Sequence, residues 1–113
     1  MPDFRFEREC RTPYSECYTV EMDGDEVGRV DIHFGPSVVY ATLCVTERLT
    51  QEEIRELIAE IDERLVLTMD PMREDLVVTV WVGREEGVYS EEELEAEEEE
   101  EEEPEGNGYL NEP

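Results

Sequence analysis

Ile54, Leu57, Ile58, Ile61 and Leu65 recur at i, i+3, i+4, i+7 and i+11, which predicts one amphipathic helix. Its start is written into the chain. Thr50-Gln51-Glu52-Glu53 is a capping box, in which Thr50 accepts from the Glu53 amide and Glu53 reaches back. Leu49 and Ile54 flank it as a hydrophobic staple. The opposite face is charged, and the helix should end before Asp70-Pro71.

Most of the remaining chain up to Val82 follows a different period. Phe4-Arg5-Phe6-Glu7-Arg8-Glu9-Cys10 alternates apolar and charged residues, the pattern of a half-buried strand. Tyr14 to Met22 puts Tyr18, Val20 and Met22 on one face, and Asp23-Gly24-Asp25 marks a hairpin turn. Val27 to Phe34 alternates again, with Arg29, Asp31 and His33 on the polar side. Ser37–Val45 and Leu76–Val82 are apolar on both faces. The expected fold is therefore α+β. A mainly antiparallel sheet of four or five strands, in the order β-β-β-β-α-β, carries one helix on one of its faces. The helical crossover makes the last strand parallel to the one before it. Pairing Phe4 with Met22 and Phe6 with Val20 keeps the apolar residues together. That register sets Cys10 against Glu16, which argues against a Cys10–Cys17 disulfide.

Charge divides the chain in two. Residues 1–84 carry 19 acidic and 9 basic side chains; residues 85–113 carry 15 acidic and none basic. The whole has a formal charge of −25. This places a small domain at 1–86 and an acidic, low-complexity tail at 87–113. Ser90-Glu91-Glu92-Glu93 repeats the capping-box pattern, but the tail has no apolar stripe to dock, and disorder is expected. The acid excess argues against direct nucleic-acid binding. No apolar run is long enough to span a membrane. Met1 to Cys10 has no apolar core of a signal peptide, so a cytoplasmic setting with reduced thiols is expected. Three cysteines at irregular spacing do not form a secreted disulfide framework. Cys10, Cys17, His33 and Cys44 lack the close pairing of zinc ligands, so no metal or cofactor is expected.

The strand order also resembles the central part of acetyltransferases of the GNAT class. In that family a Gly-rich turn at the helix start holds the pyrophosphate of acetyl-CoA. Here the position reads Thr46-Glu47-Arg48-Leu49-Thr50-Gln51-Glu52, with no glycine and with carboxylates where a phosphate would sit. The chain is not assigned to the family on that basis. No other phosphate-binding motif is present. His33 lies beside Asp31 on a polar strand face and reads as a surface histidine rather than a catalytic one.

One helix cannot cover both faces of this sheet. The expected function is a non-enzymatic interaction module. It would engage a second copy or a protein partner through Val39, Tyr40, Val77, Thr79 and Trp81. Cover by the chain's own N-terminal strand, or by the first residues of the tail such as Val88 and Tyr89, is the competing expectation. Glu97, Glu98, Glu99, Glu100, Glu101, Glu102 and Glu103 would keep the protein in solution or engage a basic partner. The alternatives are a small-ligand or enzymatic domain using the same sheet face, with Asp31 and His33 at its rim, and an acidic mimic of nucleic acid.

Overall fold

A computed structural model of the chain describes residues 2–94. Its sheet has the order β1-β2-β3-β4-β5, formed by Phe4–Thr12, Ser15–Met22, Asp25–Phe34, Val38–Val45 and Asp75–Val82. The first three pairings are antiparallel, and β4 and β5 run parallel. Asp23 and Gly24 both take positive φ, at 53° and 93°, the mirror-image turn that suits the right-handed twist of a two-residue hairpin. The expected α+β architecture and strand order are both present.

Helix α1, Gln51–Ile61, joins β4 to β5. Its capping box is complete: Glu53 N–H donates to Thr50 Oγ1 at 3.1 Å, and Thr50 N–H donates to Glu53 Oε1 at 2.9 Å. The helix covers the face on which Val39, Ala41, Leu43 and Val45 alternate, and all four are buried. Val20, Met22, Val27, Val30 and Ile32 extend that core across β2 and β3, with Leu57 and Ile61 above it. Each fully buried aliphatic side chain contributes about 1.5–3 kcal/mol relative to exposure.

The apolar stripe departs from its expected end. After Ile61 the chain widens into a π turn, Asp62–Val66, and Leu67 N–H donates to Asp62 C=O at 2.8 Å. The extra residue in that turn brings Val66 to the core. Leu65, which a uniform α-helix would place there, is only half-buried. Arg73 holds the turn from outside, donating from Nε and Nη2 to the two carboxylate oxygens of Asp62 at 3.1 and 2.6 Å.

The register of β1 against β2 also needs correction. Phe4 does face Met22 and Phe6 faces Val20. A bulge between Arg8 and Cys10 then shifts the pairing by one residue. Cys10 comes opposite Cys17, with Cα atoms 5.4 Å apart, and the two form a disulfide. Cys44 is the free thiol. The bulge also turns Arg11 toward Glu16. The Glu16 carboxylate is buried, accepts from the Tyr18 hydroxyl at 2.5 Å and lies 3.6 Å from Arg11 Nε. Burial, and then the hydrogen bond and charge of Glu16, push the Tyr18 hydroxyl up to about 12.

Ser90 caps a short turn at Glu91–Leu94, with Glu93 N–H donating to its Oγ at 3.1 Å. Glu97 to Glu103 lie outside the described residues. Among the described residues no helix is long and apolar enough to cross a membrane.

Reducing the Cys10–Cys17 bond should cost about 2–3 kcal/mol of stability, the closure entropy of so short a loop. Urea unfolding with and without reductant measures this. A thiol assay should find one reactive cysteine before reduction and three after reduction and unfolding. At high pH, the unfolded chain releases the Tyr18 proton near 10, whereas the folded chain keeps it up to about 12. This contribution to stability is full below pH 10 and is lost as the pH rises through about 12. A tyrosinate absorbance titration should show an ionisation step near 12 that Tyr18→Phe removes.

Candidate functional site

Period-two alternation sends every second side chain of β3, β4 and β5 to the face that the helix does not cover. Register then fixes the neighbours there. Tyr40 lies beside His33 and Val77, Thr42 beside Asp31 and Thr79, and Cys44 beside Arg29 and Trp81. Of the expected interaction residues, Tyr40, Val77, Thr79 and Trp81 therefore share one face. Val39 does not. It is fully buried in the helix-side core, because it has the opposite parity from Tyr40. Tyr40 is 53% exposed, Val77 43% and Trp81 62%. Val88 and Tyr89 are themselves exposed, so the expected self-cover is not formed by them.

The face is recessed at one end. There a cavity of about 490 Å³ is lined by Glu26, Gly28, Arg29, Cys44, Thr46, Gly83, Arg84 and Glu85. A second cavity of about 320 Å³ adjoins it and shares Thr46, Gly83 and Arg84, adding Glu47 and Arg48. The place follows from the topology. Parallel β4 and β5 end side by side, and their exit segments part there toward the helix and the tail. Gly83 N–H donates to Val45 C=O at 2.8 Å, the last rung between the two strands. Thr46 N–H donates to Val27 C=O at 2.8 Å and fixes the floor against β3.

Two glycines shape this hollow in opposite ways. A Cβ on Gly28 would sit 2.3 Å from the Cys44 carbonyl oxygen, so β3 and β4 can approach only with glycine there. A Cβ on Gly83 would meet nothing within 4 Å.

Electrostatically the hollow differs from the rest of an acidic chain. Three of the nine arginines converge on it. Arg29 Nε is 3.4 Å from Asp31, and Arg48 Nη1 donates to Asp25 at 3.0 Å. Among the described residues Arg84 has no carboxylate within ion-pair distance. Glu26, Glu47 and Glu85 stand around the rim as acceptors. The arrangement can hold an anionic group on guanidinium and hydroxyl donors while offering carboxylates to donors on the same ligand. Among the described residues no cluster of metal-ligating side chains occurs.

Asp31 reaches this site only through Arg29. His33 lies four residues further along β3, about 13 Å at the rise of an extended strand, so it does not sit on the rim as expected. The sequence reading missed Arg29, Arg48, Arg84 and Thr46. The available signal was positional: Arg48 and Arg84 follow the ends of two parallel strands, where open sheets with helical crossovers place their ligands.

Among the described residues the fold is thus an open-faced α+β sheet with one crossover helix and a polar hollow at the ends of its parallel strands. No family model and no curated protein matches the chain. Among solved structures, the chain is similar to a ribosomal-protein-alanine N-acetyltransferase from Brucella melitensis biovar Abortus 2308. The identity is 15%, over 90% of this chain and 75% of that one, with a TM-score of 0.35. That match, to an enzyme, stands against the non-enzymatic interaction module expected above, and that reading is withdrawn. The likeness assigns no activity, substrate or residue role to this chain.

The two glycines separate the fold from the hollow. Gly28→Ala should destabilise the protein by about 2–3 kcal/mol, since a backbone oxygen must move to admit the methyl group. Gly83→Ala should leave the melting temperature unchanged. Calorimetry of both variants tests the pair.

Proposed function

We propose that this domain binds a small ligand carrying an anionic group, in the hollow at the carboxyl ends of β4 and β5. The observation that carries the reading is Arg84. It lines both cavities and, among the described residues, has no carboxylate partner in a chain with almost four acidic side chains for each basic one. An arginine left unpaired in such a chain, on a concave surface, is a ready partner for carboxylate or phosphate oxygens.

Arg29 and Arg48 support the same end of the site. Each is already paired with an aspartate, so each holds a defined position and still has free guanidinium N–H groups. Thr46 supplies a hydroxyl, and Cys44 and the stem of Arg84 supply less polar surface. Glu26 and Glu85 favour a ligand that also carries hydrogen-bond donors. Trp81 stands beside Cys44 and therefore next to the site.

Inorganic phosphate serves as the probe for the anionic group. On titration, amide resonances of Gly28, Thr46, Gly83 and Arg84 should shift together, with a dissociation constant in the millimolar range, about −4 kcal/mol. Arg84→Ala should weaken binding about tenfold, the size of one charge-assisted hydrogen bond. Gly83→Leu should block it by filling the hollow without changing the melting temperature. Shifts spread evenly over the surface, or an Arg84→Ala variant that binds like the parent, would sink the proposal.

A further inference from the structure

The two edges of the sheet are built differently. Edge strand β1 carries Arg5, Glu7, Arg8, Glu9 and Arg11 and is broken by the bulge before Cys10. Charges and bulges are the ordinary means of keeping an edge from pairing with another chain. Edge strand β5, Asp-Leu-Val-Val-Thr-Val-Trp-Val, has one charge at its first residue and neither proline nor glycine. It pairs with β4 in unbroken register from Asp75 to Val82, and among the described residues its outer edge has no strand partner. Val77, Trp81 and Val82 are exposed along it.

We infer that β5 is a pairing edge and that its occupant is β5 of a second copy, antiparallel, with Thr79 facing Thr79 across a two-fold axis normal to the sheet. Such an axis sets residues of the same face opposite one another and continues the sheet to ten strands. The sequence selects the register. With Thr79 on the axis, Val77 meets Trp81, Val78 meets Val80, Leu76 meets Val82, and Glu74 meets Arg84, each twice. Apolar residues oppose apolar ones, and opposite charges close both ends. Moving the axis to Val78 sets Asp75 against Trp81. Moving it to Val80 sets Leu76 against Arg84 and Asp75 against Glu85, a like-charge pair. The strand is thus self-complementary in one register. The pairing runs along an edge rather than across the open face and does not rest on the ligand reading; beside the partner's Glu74, Arg84 would keep guanidinium N–H groups for an anion, as Arg29 and Arg48 do beside their aspartates.

The test is light scattering coupled to size exclusion on the full chain, at about 0.15 M and about 0.5 M salt, since screening relieves repulsion between two acidic copies. The expected mass is twice 13.2 kDa, with the larger dimer fraction at high salt. Val77→Lys with Trp81→Lys should give a folded monomer. Tyr40→Lys, on the same face but on interior strand β4, should remain dimeric. Thr79→Cys in a Cys44→Ser background should cross-link to itself on mild oxidation, whereas Trp81→Cys in that background should not. A monomer at both salt concentrations overturns the inference. So does a dimer dissociated by Tyr40→Lys, which would indicate stacking of faces, or one in which Thr79→Cys fails to cross-link. The ligand reading stands or falls separately, on the phosphate titration.

Discussion

A single helix can dry one face of a five-stranded sheet and no more. Everything specific about this molecule follows from that constraint. The covered face holds Val39, Ala41, Leu43 and Val45 under Leu57, Ile61 and Val66, and this layer is the core. The opposite face keeps Tyr40, Val77 and Trp81 in contact with water. The π turn at Asp62–Val66 fits the same constraint. With one helix available, an extra residue in its last turn brings a further side chain onto the sheet, and the two Arg73–Asp62 hydrogen bonds hold that geometry.

The crossover that places the helix also makes the hollow. A helical connection forces β4 and β5 to run parallel, so both strands end at the same side of the sheet. Their exit segments, Thr46–Arg48 and Gly83–Glu85, then diverge around a space that neither side chains nor backbone fill. Arginines 48 and 84 are brought together there although 35 intervening residues separate them in the chain. At the far end of the sheet the electrostatic problem is of another kind. The buried Glu16 is satisfied from within, by the Tyr18 hydroxyl and by Arg11, which forms a closed network rather than a site.

Much of the fold could be read from residue patterns, and the misses have specific causes. The capping box at Thr50–Glu53, the Phe4–Met22 register and the parallel return to β5 all depend on neighbours close in sequence or on a strict period. The Cys10–Cys17 pairing was lost because alternation alone carries a register past residue 9 unchanged, whereas one bulged residue inverts it. Val66 was missed in the same way, since a fixed helical period admits no wider turn. Val39 was grouped with Tyr40 because a strand apolar on both sides does not say which side is covered.

By itself, the sequence determined the element types, their order, the helix start, the hairpin at Asp23–Gly24 and the segregation of acidic charge. Each of these is set by local propensity or periodicity. Tertiary structure decided which sheet face is buried, where the β1 register slips, and that Arg29, Arg48 and Arg84 meet. Those outcomes depend on contacts between residues distant in the chain. Their relative placement is fixed only when the helix settles on one face and its crossover aligns the strand ends.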